Sequence, residues 1–360
     1  MNTKIILLPT IALALCIPSC SQWKVSSLKQ KTILTLPAGS EAKQIAFSIS
    51  DSDVMDISFS VKVSHDRVLV ADNRSKRLQV FEMDGTPELA IGAKKPGSTE
   101  PGASFNFGVI GDMVRDSEGK IYVQNRIDSG SPAPQGAVVT GPSSDDLEIV
   151  PSFILVFDAA GKLQYAMGQK GAADLPFYYI ESISVDDKDR LFVVSKTLSS
   201  WNVFRFRNKA RDFYANIGKD SFRDREGQDE YIGIIENVIP FRSGEKLLVS
   251  VAYYHNTRFK YRKIHEYLVG ENKLGRAAFS IQDPKNELFT IMDDKYILLW
   301  DTEEKDVRFV IWGFDGNIVN NLKISNDRKK SYYREIIADE AGRFYSYSAY
   351  KNALEVSEWK

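Results

Sequence analysis

Cysteine and histidine are nearly missing from this chain. Of its 360 residues two are cysteine, Cys16 and Cys20, both within the first twenty, and three are histidine. A disulfide framework, a four-cysteine zinc site and an iron-sulfur cluster are thereby excluded for the body of the protein. An excess of one charge is lacking too: 47 Lys and Arg meet 48 Asp and Glu, which removes the basic surface that non-specific nucleic-acid binding needs. After residue 20 no apolar run approaches the roughly 18 residues of a membrane-spanning helix. No glycine-rich phosphate loop, HExxH pair or GxSxG elbow occurs. A serine triad needs a histidine base, and neither His65, His255 nor His265 sits in a context that offers one. What is there, 43% hydrophobic and 11% aromatic residues, suffices for a large folded core.

The chain opens on an address. Lys4, the uncharged run from Ile5 to Ile17, and then Pro18, Ser19 and Cys20 have the build of a signal peptide. Ile17-Pro18-Ser19-Cys20 resembles a bacterial lipobox; Pro18 is the departure, of a sort that permissive lipoboxes of the spirochaetal kind tolerate. Bulky Leu15 disfavours Cys16. The resemblance implies that Cys20 is lipidated and becomes the mature N-terminus, so that acyl chains such as palmitate hold the protein at a membrane. Residues 1–19 are then a lipoprotein signal peptide, 20–30 a polar tether and 31–360 the folded domain. Gln22 stands where an inner-membrane retention signal would have Asp, which favours the outer membrane of a bacterial envelope.

A repeat fills the rest. Asp116-Ser117-Glu118-Gly119-Lys120-Ile121-Tyr122-Val123, Asp186-Asp187-Lys188-Asp189-Arg190-Leu191-Phe192-Val193 and Asp339-Glu340-Ala341-Gly342-Arg343-Phe344-Tyr345 share a polar tight turn entering an apolar strand. Looser copies begin at Ser64, Ser243 and Asp293, which makes six. A second strand and turn follow in Leu78–Gly85, Ile154–Gly161 and Phe309–Gly316, with Asp-Gly at two of the turns as a hairpin signal. The units recur about every 55 residues, somewhat above the roughly 40 to 50 of common propeller blades, and insertions account for the excess.

Ile91-Gly92, Pro101-Gly102, Phe105-Asn106-Phe107, Val109–Val114, the Asp116–Val123 turn and strand, and Val156-Phe157-Asp158 with Gly161 and Gly168 together look like one NHL-type repeat. The resemblance is best over residues 55–195, fades through 200–290 and returns in 293–360. It implies an all-β, six-bladed β-propeller of four-stranded antiparallel blades, a fold that serves as scaffold in some proteins and enzyme in others. The last copy stops one strand short, with strands near Arg334–Ala338, Gly342–Ser348 and Leu354–Trp359. Lys31–Leu36 is a free strand at the other end of the chain. Pairing of these N- and C-terminal strands is therefore expected to close the ring.

The candidates for chemistry are few. Metal-dependent lactonases and lyases on such propellers gather ligands at the central channel, and Asp112, Glu181, Glu236 and Glu335 each sit near the start of an inner strand. The bland alternative has them solvated or paired with neighbours such as Arg115 and Arg334. Phe259-Lys260-Tyr261-Arg262-Lys263 interleaves aromatic and basic residues as a nucleic-acid platform would. Period-two alternation reads it instead as an edge strand with Phe259, Tyr261 and Lys263 on one face. Lys219–Glu230, highly charged with no apolar stripe, reads as a solvated loop. Tyr178, Tyr179, Trp201, Tyr253 and Tyr254 lie near strand ends, where aromatics suit blade packing or recognition. Asp128–Ser152 is a Ser/Gly/Pro-rich insertion carrying Val138 and Val139, long enough to be functional. The expectation is a membrane-anchored, non-catalytic propeller without cofactor or metal that binds a protein or glycan partner and no nucleic acid, through Val138, Val139, Tyr178, Tyr179 and Trp201. The alternative is a calcium-dependent lactonase- or lyase-like enzyme at the channel.

Overall fold

The computed structural model describes residues 25–49, 55–93, 101–126, 152–168, 177, 179–218, 221–302, 306–325 and 331–360. Cys16, Cys20, Val138, Val139, Tyr178 and all but the last residue of the Asp128–Ser152 insertion lie outside the described residues. Within them the chain is all strand, with no α-helix.

Two strands, β1 (Val25–Ser27) and β2 (Gln30–Pro37), precede a short hairpin, β3 (Ser48–Ile49) and β4 (Met55–Asp56). Six blades follow. Blade 1 is β5 (Phe59–Ser64), β6 (Arg67–Asp72), β7 (Arg77–Glu82) and β8 (Pro87–Gly92), with β9 (Gly102–Ser104) added in parallel at its edge. Blade 2 is β10 (Val109–Arg115), β11 (Ile121–Arg126), β12 (Ser152–Phe157) and β13 (Leu163–Met167). Blade 3 is β14 (Tyr179–Val185), β15 (Leu191–Lys196), β16 (Ser200–Arg207) and β17 (Ala210–Gly218). Blade 4 carries an extra strand, β18 (Arg223–Glu226), before β19 (Asp229–Pro240), β20 (Lys246–His255), β21 (Arg258–Leu268) and β22 (Lys273–Ile281). Blade 5 is β23 (Glu287–Met292), β24 (Tyr296–Thr302), β25 (Asp306–Gly313) and β26 (Ile318–Ser325). Blade 6 is β27 (Tyr333–Ala338), β28 (Phe344–Ala349) and β29 (Ala353–Trp359), and its fourth strand is β2.

The expected closure is thus present. Antiparallel β2 pairs with β29 from Gln30 opposite Trp359 to Pro37 opposite Ala353. It buries Leu34 and Leu36 in the apolar cluster between blades 6 and 1. Each of the six apolar clusters likewise fills one interface between neighbouring blades. This explains why the second strand of blades 1, 3, 4 and 5 is a nearly continuous apolar run, as in Val68-Leu69-Val70-Ala71 and Leu191-Phe192-Val193-Val194. Both faces of that strand are covered by other blades, so neither face needs polar residues.

The repeated Asp turn also has a physical reason. Asp116, Asp186 and Asp339 are buried. Each accepts the backbone N–H four residues on, at 2.8, 2.9 and 2.9 Å. The second carboxylate oxygen takes the Tyr122 hydroxyl at 3.1 Å, or the Arg190 and Arg343 Nε at 2.6 and 2.5 Å. A carboxylate satisfied in this way fixes the turn that starts the second strand.

Three expectations need correction. Of the 20–30 tether, Val25–Ser27 is paired in parallel with β26 of blade 5, and Gln30 already belongs to β2. Lys219–Glu230 is no loop in its described part: β18 and β19 form a hairpin turning at Gly227 (φ +63°), with a diagonal ion pair of Arg223 and Glu230 at 3.1 Å. Across the hairpin only Arg225 opposite Glu230 matches in charge, Glu226 facing Asp229, and it is Phe222 and Tyr231 that are buried between blades 3 and 4. The Phe259–Lys263 strand is not an edge either, because β21 lies between β20 and β22. A bulge at Lys260 breaks its alternation, so Phe259 lies under the Arg262 guanidinium at 5.5 Å.

Candidate functional site

In an antiparallel blade the innermost strand begins, and the second strand ends, on the same face of the ring. That face receives the connections between blades and the insertion between β11 and β12. The opposite face receives the Asp turns.

On the turn face, side chains tie neighbouring blades together. Ser64 Oγ donates to the Arg115 carbonyl at 3.0 Å, joining blades 1 and 2. Ser117 donates to Asp189 at 2.5 Å, joining blades 2 and 3. Arg242 reaches Asp187 at 2.5 Å and, through its backbone N–H, Asp294 at 2.7 Å, linking blades 3, 4 and 5. Between blades 6 and 1, Arg343 pairs with Asp66 at 2.7 Å and Glu340 accepts the His65 backbone N–H at 2.7 Å.

The channel encloses about 330 Å³. All six inner strands line it, with Lys62, Ser182, Asn237 and Thr290 along the strands and Arg242, Asp294, Asp339 and Glu340 toward the turns. None of the four candidate carboxylates is among its lining residues. The cavity takes the later part of each inner strand, and the four carboxylates come before it; the inner-strand registers also shift between Ile110 and Met113, between Ile180 and Ser182, and between Ile235 and Asn237. Asp112, Glu181 and Glu236 occupy these irregularities, which re-aim a side chain.

Every one of the four is committed to protein partners. Asp112 accepts from Lys62 of blade 1 at 3.2 Å and from the Ile183 backbone N–H of blade 3 at 2.8 Å, bridging three blades. Glu181 pairs with Lys196 at 2.5 Å. Glu236 holds the Arg262 guanidinium in a two-point contact, one arm at 2.9 Å, and Arg262 is only 2% exposed. Glu335 accepts from the Tyr333 hydroxyl at 2.6 Å and from the Tyr347 hydroxyl. Burial, followed by this contact, pushes the Tyr333 hydroxyl up to about 12. Pairing with neighbours is thus what three of them show, through Lys62, Lys196 and Arg262, while Arg115 pairs with Glu88 at 2.7 Å. The described residues hold no group of three or more His, Cys, Asp or Glu placed to share a metal ion.

The histidines are not brought together. His65 lies at the blade 1 turn against Glu340, while His255 and His265 belong to blade 4. His265 is buried beside Tyr253, and burial, reinforced by Lys263, pushes its imidazole down to about 4. In the basic strand, Lys263 and Tyr261 both contact Asp224, the latter at 2.8 Å. With Arg262 on Glu236, two of its three cations are paired internally.

The predicted aromatic residues part company. Trp201 and Tyr253 are buried between blades 3 and 4 and serve packing, so Trp201 is corrected from a recognition residue to a core residue. Tyr179 stays half exposed, with Lys196 over its ring at 5.1 Å and Arg126 at 5.7 Å. Missed by the sequence were Leu198, 85% exposed, with Ile57, Ile232, Ile234 and Tyr332 also exposed. Together with Tyr179 they lie at or just before the starts of inner strands, or, for Leu198, just after the end of β15. Only Val25, Tyr214 and Val319 among the exposed large apolar residues described lie on outer strands.

No known family's profile matches the chain, and no curated protein matches it. Solved structures do. The Dos1 propeller shares 10% identity over 93% of each chain with a TM-score of 0.40. A glucose dehydrogenase shares 9% over 91% of this chain and 98% of its own, at 0.40. The WD40 domain of Toxoplasma gondii coronin shares 6% over 93% and 87%, at 0.45. A set that includes a dehydrogenase and a WD40 domain decides nothing about activity. The class this chain belongs to, a closed six-bladed β-propeller, rests on its own strand order.

Proposed function

We propose that this chain is a lipid-anchored, non-catalytic propeller of the NHL-like kind in a bacterial envelope, and that it binds a protein partner through the face where the inner strands begin. The observation that carries the reading is the gathering of Ile57, Tyr179, Leu198, Ile232, Ile234 and Tyr332 on that face. Single exposed apolar residues are ordinary, whereas their concentration on one face marks an interaction surface. Aliphatic Leu198, Ile232 and Ile234 favour a protein over a glycan, whose rings would call for aromatic platforms. The commitment of Asp112, Glu181, Glu236 and Glu335 to protein donors supports binding over metal-assisted hydrolysis, since each would have to give up a partner to ligate a cation.

The test compares crosslinked partners captured from envelope extract by the parent, by Leu198→Asp with Ile232→Asp, and by the outer-strand variant Val319→Asp. Capture of one protein that falls at least about tenfold in the first variant and persists in the second is expected. Equal capture by all three removes this face from recognition, and a calcium-dependent rise in melting temperature would favour the enzyme.

A further inference from the structure

The beginning of the described chain is pinned to the rim. Val25, Ser26 and Ser27 pair with Asn321, Leu322 and Lys323 on the outer strand of blade 5. Leu28 then packs into the apolar cluster between blades 5 and 6. Lys29 exchanges both backbone hydrogen bonds with Lys360, at 2.6 and 3.0 Å. Cys20 precedes Val25 by five residues, which even fully extended reach only about 17 Å. A domain of this length has a radius of gyration of about 20 Å, so such a tether is shorter than the body it holds.

The same rim breaks a pairing rule. Lys29 and Lys360 stand directly opposite each other on neighbouring strands, and like charges so placed repel. Lys31, two residues along, shares the face of Lys29 and is opposite Glu358. Glu358 is taken by Lys360 at 2.9 Å. Nearby Lys323 is neutralised by Asp306 at 2.6 Å, but Lys29, Lys31 and Lys360 bring three ammonium groups against one side-chain carboxylate. All three lysines are exposed.

We infer that the propeller stands edge-on at the membrane, with the rim of blades 5 and 6 toward the bilayer and Lys29, Lys31 and Lys360 on anionic lipid headgroups. The inference rests on the proposed lipidation of Cys20. Headgroup phosphates supply counter-charge to Lys29 and Lys31, since Glu358 is already taken by Lys360. Because both ends of the ring then open sideways, the recognition face stays accessible to partners, and the rim of blades 2 and 3 points away from the lipid.

The experiment uses the full-length protein purified from its membrane. Metabolic fatty-acid labelling of the parent and of Cys20→Ala is the first arm. Loss of label only in Cys20→Ala supports the anchor; an unlabelled parent overturns the anchoring reading itself. For the second arm, lipidation occupies the only cysteine of the mature chain, so Thr35→Cys on the blade 6 rim and Gln164→Cys on the blade 2 rim each accept one fluorophore. In vesicles of about three parts phosphatidylcholine to one part phosphatidylglycerol, energy transfer to a headgroup acceptor should be strong from position 35 and weak from position 164. Equal transfer from a protein that does carry the label overturns the orientation while leaving the anchor intact. With Lys29, Lys31 and Lys360 all changed to Gln, the difference should shrink and lose its dependence on phosphatidylglycerol. A difference that persists in the triple variant and in pure phosphatidylcholine overturns the role of the lysines.

Discussion

Removing the apolar anchors of β2 should open the ring. Leu36 is 1% exposed and Leu34 5%, both in the cluster with Val61, Tyr347 and Val356 that joins the last blade to the first. A buried Leu→Ala change costs about 2 to 5 kcal/mol through lost transfer energy and the cavity left behind. The two sites share neighbours and will not add fully, so about 5 kcal/mol is expected for Leu34→Ala with Leu36→Ala. That is comparable to the whole stability of an ordinary domain, about 5 to 15 kcal/mol. Weakening β2 also bares the edge of β29, where Leu354 and Val356 are fully buried, so light scattering should rise together with unfolding. The assay is urea unfolding followed by tryptophan fluorescence and scattering, with exposed Thr35→Ala as the control on the same strand. If the double variant unfolds within about 1 kcal/mol of the parent, well below the range for two cavities, β2 is not what closes the propeller.

His265 should make stability pH-dependent. Its imidazole is held down to about 4 against 6.5 for the free group, so the unfolded chain takes up the proton first as pH falls. Stability is then fully present above pH 6.5 and declines toward pH 4, by a loss on the order of 3 kcal/mol. Unfolding curves across that window should flatten in His265→Phe, and an unchanged slope would mean that another group is responsible. Asp112→Ala strands the Ile183 N–H and the Lys62 ammonium and should cost about 2 to 3 kcal/mol. Lys62→Met should cost less, and a double-mutant cycle should show coupling between the two; a loss under about 0.5 kcal/mol for Asp112→Ala would deny it the bridging role.

The sequence by itself determined the repeat. An Asp placed four residues before the N–H it accepts, followed by an apolar strand, is local chemistry; it recurs in three blades, and three looser copies complete the count. The missing fourth strand of the last blade and the spare strand at Lys31–Leu36 were legible for the same reason, because a sheet edge left open is a visible deficit. Only the tertiary structure decided where Asp112, Glu181 and Glu236 went. A bulge shifts the phase of a strand by one residue, and which residue it takes up depends on the pairing with the next strand; their partners Lys62, Lys196 and Arg262 likewise lie on other strands. The β18–β19 hairpin escaped because only Phe222 and Tyr231 around its turn are buried, too few to show as an apolar stripe. Trp201 and Leu198 sit three residues apart at one hairpin, one buried between blades and the other 85% exposed. Burial at a strand end depends on the neighbouring blade, which the local sequence does not contain.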